Sequence, residues 1–124
     1  MNVVDSCGWL EYFADGPNAG FFAKPLEDPK RLVVPTLTIL EVFQRVLTER
    51  GEATAIEAAA AMYKGRVVDL DASLVLNAAR LGVELKLPLA PSVILATAQA
   101  NKAMVWTQDD VFKDVAGVKY LTRS

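Results

Sequence analysis

Residues 2–13, which read NVVDSCGWLEYF, indicate how the chain begins to fold. The apolar run of Asn2, Val3 and Val4 stops at Asp5, and the next apolar side chains, from Trp9 onward, recur at helical spacing. This order predicts a short strand that passes directly into a helix. Asp5 is therefore expected at the carboxyl end of the first strand.

The same alternation continues to the end of the sequence. Further strands are predicted at 32–34, 66–70, 103–106 and 118–121, and further helices at 19–24, 39–50, 52–63, 71–85 and 91–101. Pro25 and Gly51 are expected to end the helices that precede them. Because strands that alternate with helices favour parallel pairing, we expect an α/β sandwich.

Length and composition predict one globular domain over residues 1–124. The chain is 52% hydrophobic and 23% charged, with a net charge of −2. No apolar run reaches the roughly 18 residues that a membrane span needs, so we expect a soluble protein without a membrane partner. The first residues lack the basic and apolar segments of a secretory signal, which makes a cytoplasmic location the default expectation.

The composition also narrows the available chemistry. The chain has no histidine and one cysteine, Cys7. It therefore cannot form a histidine-based nucleophile pair, an imidazole metal site or an internal disulfide. If the protein is an enzyme, its obvious remaining tools are carboxylates and a hard metal ion.

Three carboxylates follow strands in this pattern. Asp5 ends the first strand, Asp109 follows the fourth, and Glu41 lies on the helix after the second. Sites in parallel sheets form at the carboxyl ends of the strands, so these side chains converge if the strands are neighbours. Clustered oxygen ligands of this kind suit Mg²⁺ or Mn²⁺.

Each acid also has a purely structural interpretation. Asp5 could cap the helix that begins near Ser6. The segment from Thr38 to Glu41 fits an S/T-x-x-E capping box, and Glu41 could equally be a solvated residue on a polar helix face. Asp109 and Asp110 could form an ordinary acidic turn. Spacing alone leaves these alternatives open.

The sequence as a whole resembles the PIN-domain family, and within it the VapC-type ribonuclease toxins of toxin–antitoxin pairs. The resemblance is carried by four segments in order, namely Val3–Ser6 with Trp9–Phe13, Leu40–Val42, Leu87–Ala98, and Val105–Asp109 with Phe112 and Gly117–Leu121. It implies a three-layer sandwich with a central, mainly parallel sheet of four to five strands. It also implies catalytic, metal-binding roles for Asp5, Glu41 and Asp109, with Thr107 as a helper.

Two positions depart from the family pattern. Pro91 stands where an Asp usually follows Leu-Pro-Leu-Ala, and Val111 stands where a further Asp is common before Phe112. A proline in the first turn of a helix is well tolerated, so the fold is not threatened. The third carboxylate is nevertheless absent, and Ser92 offers only a neutral oxygen.

By this resemblance the protein is expected to hydrolyse RNA with Mg²⁺ or Mn²⁺, to form a homodimer and to bind a VapB-type antitoxin. Pro91 would weaken or abolish the activity. Arg45 and Lys86 are candidate phosphate contacts. The main alternative is an inactive PIN-fold binding module that engages an antitoxin or RNA without cleavage, and a nuclease of ribosomal RNA maturation or RNA decay is a third.

Overall fold

The computed structural model describes residues 1–124, which form five strands and six helices. The strands are β1 (Asn2–Val4), β2 (Val33–Pro35), β3 (Arg66–Val68), β4 (Met104–Thr107) and β5 (Val118–Tyr120). The helices are α1 (Ser6–Phe13), α2 (Ala19–Leu26), α3 (Thr36–Arg50), α4 (Glu52–Met62), α5 (Ala72–Leu85) and α6 (Leu89–Ala100). Two short 3₁₀ turns, at Pro29–Arg31 and Asp110–Phe112, were not predicted.

All strand pairs are parallel. β4 lies between β1 and β5, with Val3 opposite Val105, and β2 pairs separately with β3. A single parallel bridge between Asn2 and Leu32 joins the two groups. The order is therefore β3-β2-β1-β4-β5, which confirms the predicted α/β fold and places β1 between the strands that precede Glu41 and Asp109.

Apolar side chains cover both faces of this sheet. Val3, Val33 and Val105 are fully buried in a cluster with α6, while Val4 and Val34 are buried in a second cluster with α1 to α4. Successive strand residues point to opposite faces, so neighbouring valines on one strand contact different helical layers. This alternation produces the three-layer sandwich.

Gly8 allows α1 to lie close against the sheet. A Cβ atom at this position would be 2.6 Å from both Phe22 and Val4. The aromatic residues around it, Trp9 and Phe22, are buried at 3% and 0% exposure. Their main role is therefore to fill the core.

Two helix boundaries differ from the prediction because of proline. α2 continues through Pro25 to Leu26, since a proline in the last turn removes only one backbone donor. α6 begins at Leu89, which makes Pro91 its third residue. The first turn of a helix has no internal acceptors for its N–H groups, so Pro91 costs no hydrogen bond there.

No single helix is long and apolar enough to cross a membrane. Helices α5 and α6 meet the length and composition criteria only when taken together, and they are bent by 116° relative to each other.

Candidate functional site

Asp5 lies at the carboxyl end of β1, beside the end of β4. Its backbone N–H donates to the Trp106 carbonyl at 3.0 Å, and its side chain is only 6% exposed. Oδ1 accepts from the Ser6 N–H at 2.8 Å, so Asp5 does cap α1. Oδ2 is engaged elsewhere, which a capping role does not require.

Thr107 connects Asp5 to Asp109. Its buried hydroxyl donates to Asp5 Oδ2 at 2.9 Å and accepts from the Asp109 N–H at 3.0 Å. The Cys7 sulfur lies 3.4 Å from the same hydroxyl and 3.6 Å from Asp5 Oδ2. One side chain thus fixes the Asp5 carboxylate and the start of the Asp109 loop.

Asp109 is half-buried just after β4. Its Oδ1 accepts from the Val111 N–H at 3.1 Å and caps the following 3₁₀ turn. The acidic-turn interpretation is therefore correct as far as it goes. Burial is the main cause of the raised pKa of Asp5, and charge repulsion from Asp109 adds to it, so the two carboxylates lie within electrostatic reach of each other.

Glu41 is half-buried on α3 and approaches Asp5 from the neighbouring layer. The capping-box interpretation of this residue is wrong, because α3 begins at Thr36 and Thr38 already lies inside the helix. The Thr38 hydroxyl is fully buried and has no hydrogen-bond partner. Glu41 is therefore not needed to cap the helix.

The electrostatics of the site are unbalanced. Burial raises the pKa of Asp5 above its ordinary value of 3.8, and burial followed by the charge of Asp5 raises the pKa of Glu41 above 4.5. The two ion pairs of the protein, Arg31–Asp28 and Arg45–Glu49, lie elsewhere, and no lysine or arginine nitrogen lies within 4.0 Å of the three carboxylates. Buried charges are normally paired or bound to a cation, so a bound cation would stabilise the ionised carboxylates of this site.

Glu41 and Asp109 each lie within electrostatic reach of Asp5, but the three carboxylates do not form a ready-made metal cluster. No group of three histidine, cysteine, aspartate or glutamate side chains is already arranged to hold an ion. Apart from the Cys7 sulfur, the available donors are nonetheless carboxylate and hydroxyl oxygens, which fit a hard divalent cation better than zinc or copper.

The structure offers no substitute for the missing third acid. Pro91 is half-buried in the first turn of α6 and carries no ligand atom. The buried Ser92 hydroxyl donates to the Leu89 carbonyl at 2.6 Å, so it is already engaged. Asp110 and Asp114 are exposed.

A groove of about 630 Å³ adjoins the carboxylates through Cys7. Helices α1, α3 and α4 form most of its wall, and Gln108 and Arg123 complete it. Arg45 also lines the groove, but its guanidinium is paired with Glu49 at 3.0 Å. Lys86 is exposed at the end of α5 and does not line this groove.

Sequence reasoning missed a buried amide network beside the groove. The Asn18 amide nitrogen donates to Gln108 Oε1 at 2.9 Å, and both side chains are at least nine-tenths buried. Gln108 lies directly before Asp109, so the network borders the predicted site. The only sign of this network in the sequence was Gln108, a polar residue between β4 and Asp109. Its position does not show that its partner is Asn18, 90 positions away.

Comparison with known proteins supports this arrangement at the level of family and fold. The profile of the PIN domain family matches residues 3–118. No curated protein sequence matches the chain at a significant level.

Solved structures of toxin–antitoxin proteins have the same fold. A toxin–antitoxin complex from Klebsiella pneumoniae matches with a TM-score of 0.79 at 21% identity, covering 96% of both chains. Mycobacterium tuberculosis VapC20, a toxin that cleaves the sarcin–ricin loop, matches at 0.77 and 17% identity, over 95% of this chain and 97% of its own. VapBC2 of Rickettsia felis, bound to promoter DNA, matches at 0.74 and 12% identity, over 99% and 98%.

Proposed function

This chain belongs to the PIN domain family, and from that premise we propose that it is a VapC-type toxin, a metal-dependent endoribonuclease controlled by a VapB-type antitoxin. The support is the family profile over residues 3–118 together with the carboxylates at the ends of adjacent parallel strands. The fold alone does not determine an activity, so the proposal depends on the site.

The observation that carries the proposal is the buried, unpaired carboxylate of Asp5. It lies between Glu41 and Asp109, and all three lack a basic partner. Together they would hold Mg²⁺ or Mn²⁺. A bound ion of this kind supplies a more acidic water and neutralises charge on the reacting phosphate.

The protein's own residues would prepare this site. Thr107 fixes the orientation of Asp5 through a 2.9 Å hydrogen bond and ties it to the Asp109 backbone. The raised pKa values of Asp5 and Glu41 mean that both acids bind protons more readily than usual. Because metal ligation requires the carboxylate form, cation affinity should rise as pH rises through the pKa values of these two acids.

Pro91 would make the enzyme weak. Loss of a residue that only hydrogen-bonds to a metal ligand typically costs 10- to 100-fold in metal affinity or activity. In this protein a ligand itself is missing. The alternative function is an inactive binding module that engages an antitoxin or RNA. Pro91, the engaged Ser92 hydroxyl and the absence of a ready-made cluster favour this second candidate.

The proposed partners are RNA, the antitoxin and a second copy of the chain, and the proposed location is the cytoplasm. The structural neighbours that were solved as toxin–antitoxin complexes support the antitoxin. Apolar side chains on α3 and at the end of α4 are exposed, with Leu40 and Tyr63 each at 61%. Such side chains are typical of protein interfaces.

Cleavage of total cellular RNA by the purified, partner-free protein tests the proposal. Activity should require Mn²⁺ or Mg²⁺, disappear with a chelator and disappear in Asp5→Asn. Asp28→Asn is the matched control, because this aspartate forms a surface ion pair with Arg31 away from the cluster.

The two candidate functions give different results in this assay. Metal-dependent cleavage that Asp5→Asn abolishes would establish the nuclease. No cleavage by the natural sequence, with cleavage restored by Pro91→Asp, would favour the binding module. Cleavage that survives both chelator and Asp5→Asn would contradict the proposed site.

A further inference from the structure

The C-terminal residues 121–124 are fastened beside the carboxylates. The Leu121 N–H donates to the Thr107 carbonyl at 3.0 Å. The Asn18 amide donates to the Thr122 carbonyl at 3.1 Å, and the Ser124 hydroxyl donates to Asn18 Oδ1 at 3.4 Å. Both neighbours of Arg123 are therefore held by the same buried side chain.

This attachment directs Arg123 toward the groove. Arg123 lines the groove together with Cys7 and Gln108, which are the two residues that adjoin the carboxylate site. The Cys7 sulfur lies 3.6 Å from Asp5 Oδ2, so the wall that Arg123 shares with Cys7 reaches the carboxylate site.

Arg123 is also free to bind a ligand. It has no acidic partner within 4.0 Å, whereas Arg45 is paired with Glu49. Among the groove acids, Glu11 is already occupied, since it accepts from the Asn18 N–H at 2.8 Å. Arg50 also lines the groove without an acidic partner, but it ends α3, whereas Arg123 lies on a segment that is hydrogen-bonded to Thr107 and Asn18 beside the carboxylate site.

We propose that Arg123 binds an RNA phosphate next to the scissile one and that Asn18 positions it there through the residues on either side. This inference rests on the proposed RNA substrate. A planar guanidinium recognises a phosphate with two parallel hydrogen bonds, and it would hold the strand so that the neighbouring phosphate reaches the carboxylates. Phosphate neutralisation is the main source of affinity for RNA.

The test is the salt dependence of RNA affinity, measured by fluorescence anisotropy with a short labelled single-stranded RNA in chelator, where no metal-dependent cleavage occurs. One lost phosphate contact lowers the magnitude of the slope of log affinity against log salt by about 0.7. Arg123→Gln should show this loss and bind about fivefold more weakly at roughly 0.1 M salt.

Two further variants show whether a change in slope comes from the loss of the Arg123 charge. Arg123→Lys should keep the natural slope because it keeps the charge. Arg80→Gln is the matched control, since Arg80 is an exposed arginine on α5 that bonds Asn77 and does not line the groove. An unchanged slope in Arg123→Gln, or an equal change in Arg80→Gln, would overturn the inference and assign Arg123 to a protein contact or to solvent.

This experiment separates the inference from the proposed nuclease activity. RNA binding that weakens in Arg123→Gln, in a protein that never cleaves, would keep the phosphate contact and remove the enzyme. Metal-dependent cleavage with an unchanged slope would keep the enzyme and remove the contact.

Discussion

Replacing Pro91 with aspartate should increase cleavage without harming the fold. α6 packs against β1 and β4 and leads into β4 through a short turn, so its first turn lies at the same end of the sheet as Asp5 and Asp109. A carboxylate at the third helical position would therefore be added at the edge of the sheet that holds the existing acids. Because comparable changes near metals are worth 10- to 100-fold, we expect a gain of about that size or more.

The stability change should be small because two effects oppose each other. An acid in the first turn of a helix gains about 0.3–1 kcal/mol from the helix dipole. Loss of the proline frees the unfolded chain and costs about 0.4–1 kcal/mol. Since Pro91 interrupts no backbone hydrogen bond at the third position of α6, its replacement should not change the free energy of unfolding by more than these amounts when a cation is bound. Without a cation, repulsion from the existing carboxylates should destabilise the variant further.

The assay is the rate of cleavage of a quenched fluorescent RNA in Mn²⁺, with thermal unfolding measured in parallel. Pro91→Asn is the matched control, because it makes the same backbone change without the charge. Equal rates for Pro91→Asp and Pro91→Asn, with both variants folded, would refute the reasoning that a missing carboxylate limits the site.

Three other predictions concern stability in a chelating buffer. Asp5 has a raised pKa in the folded protein, so its contribution to the free energy of unfolding should fall as pH rises above 3.8 and through the raised value. In denaturant unfolding, the free energy of unfolding of Asp5→Asn should therefore vary less with pH than that of the natural protein, and identical pH profiles would contradict this. Gly8→Ala should destabilise by about 1–3 kcal/mol because its Cβ would be 2.6 Å from Phe22, whereas Gly20→Ala, with no atom within 4 Å, should not; equal melting temperatures would show that α1 can shift. Thr38→Val removes a buried hydroxyl without a partner and should stabilise by about 1 kcal/mol in thermal melts, and a loss of stability would mean that the hydroxyl is bonded.

The sequence predicted the strands and their order in the chain because each is a short apolar run flanked by turn residues. Every predicted strand is present within a few residues, and so is every predicted helix. Helix ends were less predictable. Pro91 lies in the first turn of its helix, where a proline costs no hydrogen bond, and Pro25 lies in the last turn, where it removes only one backbone donor. Neither proline therefore marked the boundary itself.

The site was predictable only in part. Asp5 and Asp109 follow strands that are neighbours, a condition that the spacing alone left open. The same pattern did not show that Thr107 bridges them, because that contact joins residues 102 positions apart. The hydrogen bonds that join Asn18 to residues 122 and 124 likewise depend on how distant segments pack, and the local sequence does not predict them.

Binding of Mn²⁺ to the purified protein, measured by isothermal titration calorimetry, tests the central claim most directly. We predict weak binding that is lost in Asp5→Asn, kept in Asp28→Asn and strengthened in Pro91→Asp. Binding of equal strength in the natural protein and in Asp5→Asn, or none in either protein and none in Pro91→Asp, would contradict the claim that the carboxylates around Asp5 are a cation site.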